Sequence, residues 1–395
     1  MDFLLTEEQQ LLKDSVERFL EKNYSFRLRR ELVDNRQAMS PQIWEGFASL
    51  GLLGVPFAEE YGGFGGGGVE IMLVMEALGR HLAVEPYLAT VLLAGSLIDL
   101  GAAQWQKKIL LPRIVDGSML LAYAHYEPDS RYSVRHVATR AVADGDGWML
   151  EGRKTLVLHG SVAEKLIVSA RTSGEDDDPS GVTLFVVECE DGNLSGQEYP
   201  LFDGTRALDV QLKGVRVGRD SMIGTPDGAM PLIERVVDRA VAALCAEAVG
   251  AMSALHAMTL EYLKTRQQFG VPIGKFQVLQ HRAADMLIHL EQAKSMAVLA
   301  AGRIDSPDAV ERGRAVAAAK EYIGRAARFV GQQAIQLHGG MGMTDELAAG
   351  HYFKRLAAID ILFGDSAYQR ARFAQFERDA PVREFAKPRK TWKQV

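Results

Sequence analysis

Two stretches of the C-terminal half decide the fold: YLKTRQQFGVPIGKFQ (residues 262–277) and QLHGGMGM (residues 336–343). Apolar residues recur at helical spacing over residues 230–267 and 308–337, so each motif falls at the end of a long predicted helix. Glycine commonly terminates helices, and the Gly339-Gly340 pair fits a helix C-terminus. The glycines of the second motif are therefore compatible with the end of a helix.

The remaining sequence indicates a helix–strand–helix order and an α+β fold. Thr6-Glu-Glu-Gln9 is a capping box that opens a helical first part. Short apolar runs bounded by Gly, Asp, Pro and Ser then predict strands, and helical spacing returns in four segments long enough for an antiparallel four-helix bundle. The predicted domains are an N-terminal α-helical domain (1–117), a middle β-barrel or sandwich domain (118–225) and a C-terminal four-helix bundle (226–395), with bundle helices at 230–267, 275–302, 308–337 and 364–378.

Composition excludes several classes of protein. Of the 395 residues, 47% are hydrophobic, as in an ordinary globular chain. The net charge is 45 − 51 = −6, which does not favour a nucleic-acid partner. The two cysteines, Cys189 and Cys245, cannot form a disulfide framework or a four-ligand zinc site, and we assign no metal. The N-terminus does not resemble a secretory signal, and no 18-residue apolar run is uninterrupted, so we predict a cytoplasmic protein without a membrane span.

Together with this architecture, the two motifs resemble the acyl-CoA dehydrogenase family, and the resemblance covers essentially the whole chain. The run EEYGGFG (residues 59–65) adds to it. Within the family, the chain most resembles the small subunits of two-component enzymes, such as that of pimeloyl-CoA dehydrogenase. The resemblance implies α,β-dehydrogenation of an acyl-CoA thioester, in which a carboxylate removes the α-proton and the β-hydrogen leaves as hydride to FAD.

The resemblance also implies that FAD lies across a subunit interface, and the neighbour's half of that site is present here. Arg266 matches the family arginine that pairs with the FAD pyrophosphate, for which a planar bidentate donor is well suited. Glycines allow close approach of the backbone to the cofactor. The residues that match cofactor contacts are Arg266, Gln268, Phe269, Gln277, Gln336, Gly339 and Gly340.

The chain's own half of the flavin site differs from the family pattern. Tyr126 stands where the family has a small hydroxyl residue, and Asp129-Ser-Arg-Tyr132 replaces a glycine-rich stretch. Leu156 replaces the tryptophan that packs on the flavin, and Leu158 replaces a hydroxyl donor. A leucine supplies neither a π-face nor a hydrogen bond. We therefore predict that this half of the site is lost.

The catalytic base is also predicted to be absent. Phe363 stands where the family has its glutamate, and Ala240 occupies the alternative position of the base. Three carboxylates remain as weaker candidates. Asp365 is the nearest to the lost base but fits a helix N-cap, and Asp238 lies two residues from Ala240. Glu247 lies in an apolar helical run, where a carboxylate could be a desolvated base but more often faces solvent or a paired arginine.

The leading hypothesis is a partner-dependent subunit that contributes its cofactor contacts to the FAD of a related large subunit, in a heterodimer or heterotetramer. Two alternatives stay open: a self-sufficient homo-oligomeric acyl-CoA dehydrogenase with a relocated base, and a non-catalytic scaffold. The resemblance implies an electron-transfer flavoprotein as the acceptor of electrons. A dicarboxylic or ring-bearing acyl group is suggested by the pimeloyl-type resemblance.

Overall fold

In the computed structural model, which describes residues 5–379, the first helix begins at the predicted capping box. The Thr6 hydroxyl accepts a bond from the Gln9 backbone N–H, and the Thr6 N–H donates to Gln9 Oε1. The N-terminal part is helical throughout, and it includes a buried π-helix over Tyr87–Gly95. Its α-helices are α1 (Glu7–Asn23), α2 (Phe26–Asp34), α3 (Pro41–Ser49), α4 (Gly68–His81), α5 (Ser96–Gly101) and α6 (Gln104–Val115).

The middle part is an eight-stranded β-structure in two halves. One half runs β6-β7-β3-β2, and the other contains β1, β4, β5 and β8. The halves are joined by a single parallel pair, Arg140 with Arg171, and together they enclose an apolar core that includes Leu150, Phe185 and Val210. The strands are β1 (Leu121–Ala124), β2 (Arg140–Asp144), β3 (Gly147–Leu158), β4 (Lys165–Arg171), β5 (Val182–Glu188), β6 (Leu194–Pro200), β7 (Arg206–Gly218) and β8 (Met222–Ile223).

The C-terminal part is an α-helical bundle with a small hairpin. It comprises α7 (Met230–Thr265), β9 (Gln267–Gln268), β10 (Val271–Pro272), α8 (Gln277–Ala301), α9 (Ala309–His338), α10 (Ala348–Ile361) and α11 (Ser366–Asp379). The predicted fold class is confirmed, but α10 was not among the four helices expected from the sequence. It follows the glycines of the second motif. Because glycines favour loops, the short helix after them was not predicted from the sequence. Residues 380–395 of the predicted C-terminal domain lie outside the described residues.

The helix α7 is the core helix of this bundle. By length and composition alone it could cross a membrane, but most of its apolar stretch is buried inside the protein. It also carries buried charged residues, Asp238, Arg239 and Glu247, which pack against other helices of the same chain. A core helix of a large bundle has this composition because it is surrounded by protein on all sides.

A buried charge network, which we call the Arg355 network, ties all three parts together. Arg355 on α10 donates to both carboxylate oxygens of Glu247 on α7, at 2.5 and 2.8 Å, and to Asp203 of the middle part at 2.8 Å. Arg29 on α2 donates to the Asp203 backbone carbonyl at 2.6 Å and lies 2.9 Å from Nδ1 of His351. Burial opposes the charged form of Asp203, but Arg355 holds the pKa of this carboxyl below its usual value.

We expect Arg355→Met to destabilise the protein by about 3–5 kcal/mol, because it leaves two buried carboxylates without their cation. The measurement is denaturant unfolding of the purified chain at neutral pH. Lys354→Ala is the matched control, since Lys354 is the exposed neighbour on α10 and should change stability by less than about 1 kcal/mol. Equal stability of the two variants would show that the Arg355 network does not stabilise the folded protein.

Candidate functional site

The first motif forms a tight hairpin at the end of α7. Strands β9 and β10 pair over two residues each, and the Ile273 N–H donates to the Arg266 carbonyl at 2.8 Å. The turn between them is Phe269-Gly270, with φ of +54° and +77°. Positive φ at both turn residues is the geometry of a type I′ hairpin, which favours Asn-Gly rather than a bulky aromatic residue. Phe269 is therefore held in a conformation that costs free energy, as often occurs at functional sites.

The second motif forms the end of α9 and the turn that follows it. Gly339 has φ of +58°, which explains glycine at this position. Gly340 has no such requirement, and a Cβ at either glycine would meet no other atom of the described chain within 4 Å. Nothing within residues 5–379 therefore demands a glycine at 340, so a group from outside this chain is the more natural reason for it.

The two motifs share one surface, which we call the two-motif surface. The rings of Tyr262 and His338 lie 4.6 Å apart between centroids and connect the motifs. Every predicted cofactor contact lies exposed on it, and Phe269 is 90% exposed. Lys264 pairs with Glu261, whereas Arg266 has no carboxylate partner within residues 5–379. The members of the surface are Arg266, Gln268, Phe269, Gln277, Gln336, Gly339 and Gly340.

Exposed apolar side chains flank the two-motif surface. A free, unpaired guanidinium beside them can bind an anion, and the apolar neighbours can be covered by another protein. An FAD pyrophosphate is an anion of the required kind, so the residues present fit the predicted cofactor contact. The flanking side chains are Val271, Phe276, Val278, Met341 and Met343.

Bulky side chains occupy the predicted flavin-ring and catalytic-base positions of this chain, and two of them pack on each other. Tyr126 of the middle part packs on Phe363 of the α10–α11 loop, with ring centroids 5.7 Å apart. Leu158 lines a cavity of only about 30 Å³ with Leu362 and the buried Glu247. That volume holds about one water molecule. The residues present do not fit a flavin ring system, and we derive no chemistry at this position, which we call the filled cleft.

A buried charged pair supports the scaffold around the filled cleft. Lys154 Nζ lies 2.7 Å from Glu127 Oε1, with both side chains buried. Burial lowers the pKa of Lys154 to about 8, although the carboxylate of Glu127 opposes this shift. This pair supports the strands, whereas Tyr126, Leu156 and Leu158 occupy the positions that the resemblance assigns to flavin contacts.

Each of the three carboxylates that were weaker candidates for the catalytic base has a structural partner. Asp365 is the N-terminal cap of α11, since its Oδ1 accepts from the Tyr368 N–H at 2.8 Å. Asp238 binds Arg372 at 2.6 Å and Arg312 at 3.3 Å. Glu247 is the double acceptor of the Arg355 network. None of the three is an uncommitted base, and within residues 5–379 no His, Cys, Asp or Glu cluster is placed to hold a metal ion.

Sequence reasoning missed a further buried carboxyl, Glu85. Its Oε1 accepts weakly from the Ser40 N–H at 3.4 Å, and its Oε2 has no hydrogen-bond partner within the described chain. Burial raises the pKa of Glu85 to about 7. It faces the Tyr24 hydroxyl, and it lines the 30 Å³ cavity together with His159, Glu247 and Arg355. A single acidic residue before Pro86 in an apolar run was the only signal available in the sequence.

The chain has a helical first part, a β-structure and a C-terminal bundle that presents the two-motif surface. This is the acyl-CoA dehydrogenase architecture. Family models for the acyl-CoA dehydrogenase N-terminal, middle and C-terminal domains match residues 6–118, 122–215 and 230–376. The probable acyl-CoA dehydrogenase YngJ of Bacillus subtilis is 30% identical, over 95% of this chain and 99% of its own. The chain belongs to the acyl-CoA dehydrogenase family.

Solved structures agree with this assignment. A chain of the ChsE4–ChsE5 complex from Mycobacterium tuberculosis superposes with a TM-score of 0.87 at 25% identity, and the match covers 97% of this chain and 100% of that one. The FAD complex of PigA gives a TM-score of 0.87 at 25% identity, with 95% and 98% covered.

We expect the stability of the protein to fall as the pH rises from 5 to 8, in part because of Glu85. Its folded-state pKa lies above its ordinary value, so the folded state holds the proton, and the stabilisation is lost as pH rises through about 7. Glu85→Gln removes this dependence and should gain about 1–3 kcal/mol relative to wild type between pH 5 and pH 8. Urea unfolding at both pH values measures the difference.

The control for this measurement is Glu45→Gln, because Glu45 is exposed on α3. It should follow the wild-type pH dependence. A Glu85→Gln profile parallel to wild type would show that Glu85 does not carry a raised pKa in the folded protein.

Proposed function

We propose that this chain is the cofactor-contacting subunit of a two-component acyl-CoA dehydrogenase. The observation that carries the proposal is the contrast between its two sites. The two-motif surface is exposed, and its Arg266 has no carboxylate partner within residues 5–379. In the filled cleft, Tyr126 packs on Phe363, and each of the three carboxylates weighed as a relocated base has a structural partner. The catalytic glutamate and the flavin-ring pocket would belong to a related large subunit.

The residues of this chain would act on the outer part of the cofactor. Arg266 would neutralise and orient the FAD pyrophosphate through paired N–H donors. Gln268, Gln277 and Gln336 would supply neutral hydrogen-bonding groups, and Gly339 and Gly340 would let the backbone approach. FAD bound in the partner would accept the hydride from the β-carbon of an acyl-CoA.

The cofactor and the partner have independent support. PigA, which shares the fold and 25% of its sequence positions with this chain, is described as an FAD complex. The ChsE4–ChsE5 structure is a complex of two differently named chains. The apolar side chains that flank the two-motif surface are suited to burial against a similar subunit. An electron-transfer flavoprotein as acceptor, an unusual acyl group of the pimeloyl type and a cytoplasmic location complete the proposal.

Flavin stoichiometry with native mass tests the proposal directly. The chain is purified alone and then together with a related acyl-CoA dehydrogenase from the same source. We expect little flavin in the chain alone and one FAD per unlike pair in the complex. One FAD per chain in an active homo-oligomer would overturn the proposal in favour of the self-sufficient enzyme.

Arg266→Ala should weaken FAD binding to the complex by roughly 10- to 150-fold, because hydrogen bonds to charged groups contribute about 1.5–3 kcal/mol. Flavin fluorescence during titration with FAD gives the dissociation constant. The control is Lys264→Ala, which removes a positive charge two residues away without touching the proposed contact. Unchanged FAD affinity in Arg266→Ala, with an intact complex, would favour the scaffold role instead.

Asp365→Asn should leave turnover by the complex unchanged within about two-fold, because an asparagine caps a helix about as well as an aspartate. The measurement is steady-state turnover with a panel of acyl-CoA thioesters. A loss of turnover of more than about 100-fold, the range of general acid–base catalysis, would identify Asp365 as a relocated base.

A further inference from the structure

The hairpin that carries Arg266 has little support of its own. Its strands contain two residues each, and an isolated two-stranded hairpin is marginally stable in water. Its turn contains Phe269 at positive φ, which adds strain. Residues 264–271 are all exposed, so no buried side chain within that run anchors it. The position of Arg266 must therefore be maintained from the adjoining helices.

Tyr262 is placed to do this from α7. The Tyr262 backbone carbonyl accepts a hydrogen bond from the Arg266 N–H at 2.9 Å. Tyr262 therefore lies one helical turn before the arginine and is hydrogen-bonded to it. Its ring is half-buried and contacts the ring of His338 at 4.6 Å, with an interplanar angle of 34°. Tyr262 is thus connected to Arg266 of the first motif and to His338 of the second.

His338 is the matching residue on α9. It is the last residue of the helix, between the buried Leu337 and the exposed Gly339, and it is only 2% exposed. Its Nδ1 lies 2.8 Å from the Ala334 carbonyl, which fixes the ring. Its Nε2 is buried and has no hydrogen-bond partner within residues 5–379. An unpaired buried nitrogen carries a cost, so the ring is kept here for its packing rather than for a second hydrogen bond.

We propose that Tyr262 and His338 are positioning residues whose ring contact holds Arg266 at a fixed place relative to Gly339 and Gly340. The first motif lies at the end of α7 and the second at the end of α9, and this ring contact connects them. The inference rests on the proposed function for its effect on FAD, but the ring contact itself acts within this chain alone.

The first test needs only the isolated chain. Amide hydrogen exchange is followed for residues 266–273 in His338→Ala and Tyr262→Ala. Because an aromatic pair contributes a modest free energy, exchange should be roughly 2- to 12-fold faster in each variant. Tyr262→Phe and His338→Phe retain both rings and should exchange at the wild-type rate.

His289→Ala is the matched control, because it removes a histidine–aromatic contact elsewhere in the same bundle, with Phe329 at 4.4 Å. It should leave exchange at 266–273 unchanged. Unaltered exchange in both alanine variants, or a failure of either phenylalanine variant to restore the wild-type rate, would overturn the inference. Circular dichroism on each variant ensures that the comparison is made between folded proteins.

The second test measures FAD affinity in the complex with the related large chain. Both alanine variants should weaken FAD binding, and both phenylalanine variants should restore it. Tyr262→Ala added to Arg266→Ala should have no further effect, because the ring pair acts through the arginine. Suppose that Arg266→Ala leaves FAD affinity unchanged while both alanine ring variants still show faster exchange at residues 266–273. In that case the proposed function is wrong, but the positioning of Arg266 by the Tyr262–His338 ring contact is supported. If Arg266→Ala weakens FAD binding but the ring variants do not, only the positioning role fails.

Discussion

The Arg355 network is the interaction on which the arrangement of the three parts depends. A guanidinium from α10 is shared by a carboxylate from α7 and another from the middle part, and a second arginine from α2 binds the same segment. Burying these charges is costly, and their mutual geometry must be maintained to offset that cost. The network therefore fixes the orientation of the β-structure against the bundle. It also lines the 30 Å³ cavity that Leu158 and Leu362 share.

In the proposed function, the fold is retained while the flavin-ring site of this chain is lost. Lys154 and Glu127 still support the strands beneath the filled cleft, and the helices still present the two-motif surface. The substituted side chains at positions 126, 156, 158 and 363 change what fills the space between the parts. The chain keeps the framework of its family and presents its exposed contacts outward, towards a cofactor that would be seated in another subunit.

The sequence predicted the order of the three parts and the position of α1, α7, α8 and α9, because their capping and apolar spacing are local properties. It missed α10, which is bounded by the second motif and by the Phe363 loop. The candidate site was predicted as separate residues. Their meeting through Tyr262 and His338, and the pairing of Glu247 with Arg355, depend on contacts between distant segments that no local pattern contains.

The apolar rim of the two-motif surface has a consequence for the cell that makes this protein. Phe269 and Met343 are largely exposed to solvent beside four other apolar side chains. A contiguous apolar patch on a free chain promotes self-association, so molecules made in excess of their partner would be lost to aggregation or proteolysis. Balanced synthesis of the two chains would then be a condition of their accumulation, and the quantity of the scarcer chain would set the amount of the assembled complex.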